Sequence, residues 1–279
     1  MPKIRSIIAL FIFCFFCNGF TLAQNFAEKP PEPKIEAPDQ EPVIGESLIY
    51  TVRWLGVPMG KVTLKVEGIE NLDNHQCYHI SALASPNNLL KKIHNLQYQA
   101  DSYIDKRLLV SRRFQKTRTL GGKYNHLVID FNPEDNTAEF KSEGTSSTSV
   151  KVSDKRKKLN IENPRTNKIP AGTQDLLSAL YYIRWIDLGD GGDHPVNIYY
   201  AGRNWKANFG AGQPYWRDIR KKGTFGVIEL SPSSGLNDFI LGRRKFTIFL
   251  TCDSRRIPLE FRFSTGLGPI RATLDNIPE

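Results

Sequence analysis

Cysteines, long apolar runs and catalytic signatures are all scarce in this sequence. Four cysteines among 279 residues exclude the disulfide-rich class of small secreted scaffolds. After Cys17 no stretch reaches the ~18 apolar residues of a membrane-spanning helix, which excludes a multi-span membrane protein. The sequence has neither a G-x-S-x-G nucleophile elbow nor a Gly-rich phosphate loop that opens a helix. What is present, 40% hydrophobic and 24% charged residues, is the composition of a globular protein.

The first 23 residues have the features of a secretory signal peptide. Two basic residues precede an apolar run over residues 6–17, and a small-residue motif ending at Ala23 predicts cleavage there. A membrane anchor is one alternative. A lipoprotein modified at Cys14 or Cys17 is another, which the phenylalanine before each cysteine disfavours. We therefore expect an exported protein.

Proline and cysteine give two further expectations for the mature chain. Residues 24–42 are rich in proline and charge, which favours extended geometry over a packed core, so we predict a tether there. Cys77 and Cys252 both lie in apolar, strand-like stretches. They either close a disulfide or remain separate buried thiols, and the sequence leaves both alternatives open.

From Val43 onward apolar and polar residues alternate, as in half-buried β-strands separated by turns. The predicted strands are Ser47–Trp54, Gly60–Gly68, Cys77–Leu83, Leu96–Ile104, Leu109–Thr117, Tyr124–Phe131, Thr137–Lys141, Val196–Tyr200, Trp205–Phe209, Gly223–Leu230, Lys245–Cys252, Ile257–Phe263 and Ile270–Leu274. Short strands with tight turns and no interleaved helices indicate antiparallel pairing. Residues 43–279 are therefore predicted to be mainly β, as a single curved antiparallel sheet or a barrel-like domain with one packed α-helix.

That helix is predicted over residues 173–188. Apolar residues recur there at three- and four-residue spacing, with Thr173 as the N-cap and Asp175 in the first turn, and Gly189 ends it. The preceding residues, 142–168, are rich in Ser, Thr and Lys and predict a mobile loop.

Candidate chemistry is sparse along these elements. His75, Cys77 and His79 alternate on one predicted strand face, which suits zinc, but a fourth ligand is not evident. We therefore expect two histidines beside a buried cysteine, with no metal and no cofactor. Paired carboxylates would serve a glycan hydrolase. The available acids are Glu46, Asp101, Asp105, Asp130, Asp175, Asp253 and Glu260.

Positive charge is the most conspicuous functional feature, with a formal net charge of +9. Export disfavours nucleic acid as the partner and leaves anionic lipid, lipopolysaccharide or acidic glycan. Aromatic rings beside arginine stack on sugars or line apolar clefts, although such rings also fill β cores. The predicted ligand-binding residues are Arg217, Arg220, Lys221, Lys222, Trp205, Tyr215 and Trp216. A plain solvated basic surface is the alternative.

The order of several short motifs resembles the bacterial exported family catalogued as domain of unknown function 3108. The motifs run from Val43 to the C-terminus: Gly45–Tyr50, Trp54, Pro58–Gly60, Asp101–Asp105, Asp175–Arg184, Gly223–Phe225, Cys252–Pro258 and Gly266–Leu274. The resemblance implies an antiparallel β protein of the bacterial envelope. Together with the export signal, it leads us to expect a location in the periplasm or at the outer membrane of a Gram-negative bacterium. It implies no established activity and no catalytic residues.

These observations favour a non-enzymatic envelope protein that binds an amphiphilic or anionic component, either lipid or glycan, with peripheral membrane contact. Two alternatives stay open at this point. One is a glycan-active hydrolase that uses paired carboxylates, and the other is a structural protein associated with the outer membrane.

Overall fold

The computed structural model describes residues 33–39, 41–88, 96–120, 123–144, 165–189, 191–200, 202–219, 222–232, 246–265 and 268–277. Fifteen strands and one helix lie within these ranges: β1 Ser47–Trp54, β2 Val57–Leu72, β3 His75–Pro86, β4 Leu96–Asp105, β5 Ser111–Leu120, β6 Lys123–Asn132, β7 Thr137–Gly144, β8 Arg165–Lys168, α1 Leu176–Trp185, β9 Asp193–Tyr200, β10 Arg203–Ala211, β11 Tyr215–Ile219, β12 Gly223–Pro232, β13 Phe246–Thr251, β14 Pro258–Thr265 and β15 Gly268–Leu274. None of the helical residues described here forms a segment long and apolar enough to cross a membrane.

All the strands belong to one sheet with antiparallel pairing, in the order β8-β7-β6-β5-β4-β3-β2-β1-β15-β14-β13-β12-β10-β9, and β11 pairs with β12. The pairing of β1 with β15 joins the two halves of the chain, while β8 and β9 form the ends. Just before α1, Gln174 makes a single bridge to Ile198 on β9. The predicted fold class is therefore confirmed, as a large antiparallel sheet with one helix.

The core follows from the alternation along the strands. On β1, Leu48 and Tyr50 are fully buried, and α1 adds Leu177 and Tyr181 to the same cluster. Arg184 at the end of α1 forms a bidentate ion pair with Glu46, with both N–O distances 2.7 Å. The helix is thereby packed on the sheet and fixed to the start of β1.

The helix is shorter than predicted at both ends. Its N-cap is Asp175 and not Thr173, and it ends at Trp185 because the backbone of Ile186 is already extended. The Asp175 carboxylate accepts hydrogen bonds from the backbone N–H groups of Leu177 and Ser178, as an N-cap does. Thr173 instead donates its hydroxyl proton to the carbonyl of Pro170, which belongs to the turn before the helix.

Thirteen strands were predicted, and each corresponds to an observed one. The two missed strands, β8 and β11, are short and mostly polar or exposed. Part of the predicted loop 142–168 is therefore strand, since β7 continues to Gly144 and β8 spans Arg165–Lys168. The rest of that predicted loop, like the predicted signal peptide, lies outside the described residues.

The predicted tether is partly a packed segment. Its described residues, 33–39 and 41–42, are here called the strap, and Pro33 and Pro42 within it are buried. The N–H of Glu36 donates to the carbonyl of Cys252 at 2.9 Å, and Arg256 donates to the carbonyl of Glu36 at 2.6 Å. An extended backbone makes no hydrogen bonds within itself, so its N–H and C=O groups can bond to a neighbouring segment. The composition alone did not indicate that these residues are packed in this way.

Of the two alternatives for the cysteines, the structure has the separate buried thiols. Cys77 on β3 and Cys252 after β13 are both free. Four strands separate β3 from β13 in the sheet, so the two positions are not brought together by pairing.

Candidate functional site

A groove of about 990 Å³ lies where β1, β14 and β15 meet the β11–β12 hairpin. Alternation along the strands places it on the face opposite the core, because Val52 and Ala272 pack inward while their neighbours Arg53 and Arg271 are exposed. The charged lining residues are Arg53, Arg217, Lys222 and Arg271, with Asp218, Glu260 and Asp275. Cations are therefore in excess in the lining itself.

Three arginines occupy directly opposed positions on adjacent strands of this groove. Arg53 on β1 pairs in register with Arg271 on β15, which pairs in turn with Arg262 on β14. Like charges directly opposite each other destabilise a sheet. Arg262 is compensated by Glu260. Arg53 and Arg271 make no ion pair or hydrogen bond with any side chain that the structure describes.

A second cluster shares one carboxylate between two arginines. Arg217 donates to Glu260 at 2.8 Å, and Arg262 pairs with the other oxygen of the same carboxylate. Both guanidinium groups also lie over the ring of Phe249, with their carbon atoms 3.9 and 4.5 Å from its centroid. Because the Glu260 side chain is only 8% exposed and already engaged twice, this cluster keeps one uncompensated positive charge.

The opposite side of the groove is held by Asp275. Burial raises the pKa of Asp275, but hydrogen bonds from Thr51 and Lys61 lower it, and the pKa lies below its ordinary value. Burial lowers the pKa of Lys222, with Asp275 raising it and Arg53 lowering it further. Lys222 therefore lies close enough to both Asp275 and Arg53 to interact with them electrostatically.

Apolar side chains stand exposed beside these charges. Leu55, which lines the groove, is 60% exposed, and Val57 across the hairpin turn is 57% exposed. On β11, next to Arg217, Trp216 is 46% exposed and Tyr215 is 39% exposed. The groove thus combines cationic groups that have no carboxylate partner among the described side chains with an exposed apolar border.

A family model described as a protein of unknown function, DUF3108, matches residues 49–275. The chain belongs to DUF3108. The matched span includes the charged lining of the groove from Arg53 to Asp275. A solved structure, described as a β-barrel-like protein of domain of unknown function DUF1849 from Brucella abortus, is similar over 84% of this chain and 97% of its own, with a TM-score of 0.49 and 10% sequence identity. No curated protein matches the chain.

The structure of this DUF3108 chain brings only part of the predicted ligand-binding set together. Arg217 and Lys222 line the groove, and Tyr215 and Trp216 lie beside Arg217 on β11. Trp205 does not belong to this site, because it lies on β10 and packs against the core. The other two predicted residues, Arg220 and Lys221, fall outside the described ranges.

Sequence reasoning missed Arg53, Arg271 and Leu55. The alternation within β1 was sufficient to place Arg53 on the outer face, between the inward-facing Val52 and the turn. What the sequence does not contain is the pairing of β1 with β15, which sets Arg53 opposite Arg271 across more than two thirds of the chain.

The acids considered for hydrolysis are all described, and each has a partner. The partners are Arg184 for Glu46, His79 for Asp101, Arg112 for Asp105, Arg113 for Asp130, Ser102 for Asp175, Arg255 for Asp253 and Arg217 for Glu260. Asp175 is completely buried, and it is the acid among them whose pKa is raised, by that burial. A general acid for glycoside cleavage needs both a raised pKa and contact with the substrate. Asp175, as a fully buried helix cap, cannot contact a substrate.

The alternating trio on β3 is divided between different surroundings. Cys77 is buried, and burial raises the pKa of its thiol to about 11. His79 lies between Glu70 at 2.7 Å and Asp101 at 3.0 Å, and stacks on Tyr103. Within the described part of the chain, no group of three or more His, Cys, Asp or Glu side chains is arranged to hold a metal ion.

Proposed function

We propose that this DUF3108 protein is a non-enzymatic binding protein of the bacterial cell envelope, exported to the periplasm or the outer membrane. Its groove is proposed to hold the anionic headgroup of an amphiphile, with the acyl portion against the exposed apolar border. The observation that carries the proposal is the directly opposed, uncompensated pair Arg53 and Arg271.

Four physical arguments support this assignment. Two facing guanidinium groups repel each other, so an anion between them both binds and relieves the repulsion. Planar guanidinium groups match the oxygen geometry of phosphate and carboxylate. The groove volume, about 990 Å³, lies at the upper end of the range for small-molecule sites. The exposed Leu55 and Trp216 at its border favour a ligand with an apolar part over a purely polar glycan.

The test is titration calorimetry of the mature protein with dihexanoyl phosphatidylglycerol below its micelle concentration, and with glycerol 3-phosphate and trigalacturonate. We expect the lipid to bind most tightly, and the double variant Arg53→Gln/Arg271→Gln to lose at least about tenfold in affinity. Arg107→Gln, at an exposed position in the β4–β5 turn, is the matched control and is expected to bind like the wild type. If only trigalacturonate bound, the ligand would be a glycan and not a lipid. If none of the three probes bound, the proposal would be contradicted.

Stability provides a second readout that separates a binding site from a structural role. If the arginine pair exists for a ligand, relief of its repulsion in Arg271→Gln is expected to raise the free energy of unfolding by roughly 0.5 kcal/mol without ligand. A loss of stability in that variant would indicate that Arg271 serves the fold.

A further inference from the structure

The β1–β2 hairpin presents an uninterrupted apolar tip at the end of the groove. Its six residues, Trp54–Met59, contain no charged or hydrogen-bonding side chain except the indole of Trp54. Leu55 and Val57 are among the most exposed large apolar residues described, at 60% and 57%. Here these six residues are called the apolar tip.

The turn within the apolar tip uses a residue that its backbone does not favour. Leu55 and Gly56 both have positive φ, 50° and 86°, in a two-residue connection. The neighbouring β2–β3 hairpin has the same construction, but there the turn residues are Asp73 and Asn74, with φ of 49° and 68°. Asn and Asp are the usual residues at such positions, whereas a bulky side chain is strained there. Leucine is therefore not the residue that the backbone of this turn favours. Its side chain packs over Gly268 at one edge, and 60% of it stays exposed.

Cations outnumber carboxylates in the groove beside the apolar tip, four to three. Arg53 immediately precedes it, Arg271 lies opposite Arg53, and Lys222 lines the same groove. An exposed apolar turn beside the uncompensated pair Arg53 and Arg271 matches the order of layers in an anionic bilayer, in which the charged headgroups lie outside the hydrocarbon.

We propose that the apolar tip inserts into the headgroup–acyl boundary of an anionic bilayer, while Arg53 and Arg271 contact the headgroups. This docking surface goes beyond the binding of single amphiphiles in the groove. It also accounts for the placement of the groove, since a lipid held between the arginines would extend its chains toward the membrane in which the tip is embedded.

The test uses flotation of the mature protein with vesicles of equal parts phosphatidylcholine and phosphatidylglycerol, against vesicles of phosphatidylcholine alone. We expect binding to the anionic vesicles, and a loss of at least about tenfold in partitioning for Leu55→Asn/Val57→Thr. Asparagine suits the left-handed turn, so this variant is expected to fold. Leu108→Asn is the matched control, because Leu108 is 43% exposed in the β4–β5 turn at the opposite end of the sheet. Equal partitioning of wild type, tip variant and control would overturn the proposal.

Insertion depth gives an independent measurement. Brominated acyl chains are expected to quench a larger share of the tryptophan fluorescence in Leu55→Trp than in Leu108→Trp, because the native tryptophans, Trp54 in the apolar tip among them, are common to both variants. Equal quenching of the two variants would overturn insertion.

The groove is tested separately by glycerol 3-phosphate, which has no acyl chain. If the tip variant still partitions normally while Arg53→Gln/Arg271→Gln no longer binds glycerol 3-phosphate, the tip proposal fails and the groove proposal stands. If the tip variant no longer partitions while Arg53→Gln/Arg271→Gln still binds glycerol 3-phosphate, the groove proposal fails and the tip proposal stands.

Discussion

The carboxylate of Asp175 links three parts of the interior at the scale of a single residue. One of its oxygens accepts from the N–H groups of Leu177 and Ser178 at 2.7 and 2.9 Å. The other accepts from the hydroxyls of Ser102 on β4 at 2.6 Å and Ser111 on β5 at 2.8 Å. Four donors thus satisfy one fully buried carboxylate, which caps α1 and fixes it to two strands.

We expect Asp175→Ala to lower the free energy of unfolding by about 3 kcal/mol, since it removes a helix cap and leaves buried donors without an acceptor. Asp175→Asn keeps the cap oxygen and should lose less. Urea unfolding followed by circular dichroism measures both. If the alanine and asparagine variants were equally stable, the four hydrogen bonds would not have the importance assigned to them.

His79 makes the stability of the sheet depend on pH. The hydrogen bond with Asp101 raises the pKa of His79, burial lowers it, and Glu70 raises it again, so that the pKa lies above its ordinary value. A histidine with a raised folded-state pKa stabilises the protein fully below about pH 6.5, the unfolded value, and this contribution is lost as pH rises through the folded pKa.

The free energy of unfolding of the wild type is therefore expected to exceed that of His79→Gln by an amount that shrinks as pH rises from 5.5 to 8.5. These two pH values lie on either side of the pKa of an ordinary imidazole, about 6.5. Urea unfolding at each pH gives the difference. His126→Gln is the control for the loss of an imidazole from the same sheet, because its ring bonds the hydroxyl of Thr117. A difference that grew with pH would mean that the neutral ring is the stabilising form.

At the scale of elements, strand positions were predictable from the sequence and their neighbours were not. The period-two pattern of β1 is strong because Leu48 and Tyr50 enter the core, whereas β11 offers five residues with only Ile219 buried. The groove is built from strands at both ends of the chain, and its arginine pair exists only through the register of β1 with β15. Composition could identify Arg217 and Lys222 as cationic, but only pairing reveals which cations remain uncompensated.

The strap gives the element-scale prediction. It covers Gly226, where a Cβ atom would meet Pro33 at 2.7 Å, and its Glu36 carbonyl accepts from the fully buried Arg256. Removing the strap therefore leaves a buried guanidinium and the Cys252 carbonyl without these partners. We expect a chain that begins at Val43 to be roughly 3 kcal/mol less stable than one that begins at Gln24.

A chain that begins at Pro31 retains the strap and is the matched control, expected to equal the longer chain in thermal or urea unfolding. Equal stability of all three chains would mean that the strap does not stabilise the fold and acts as a tether, as the composition predicts.

At the scale of the whole molecule, the sheet carries a helix on one side and ends at two edge strands, β8, which pairs with β7, and β9, which pairs with β10. The segment between them approaches β9, where the N–H of Tyr199 donates to the carbonyl of Gln174 at 2.9 Å. Asn167 on β8 also donates to the Tyr199 hydroxyl at 2.6 Å. The two halves of the fold are therefore joined at β1–β15 and again through these hydrogen bonds, which favours cooperative unfolding.

The two cysteines report on that cooperativity, because one lies in each half of the chain. Cys77 and Cys252 are free and buried, and burial raises the pKa of each thiol to about 11. Only the thiolate reacts with iodoacetamide, so both are expected to resist alkylation at pH 8, about half a unit below an ordinary thiol pKa. In urea, without any reductant, both should react together as the molecule unfolds, and intact mass spectrometry should show two added groups. A chain that gains neither group even when fully unfolded would contain the disulfide instead. A singly modified species at intermediate urea would show that the two halves unfold separately.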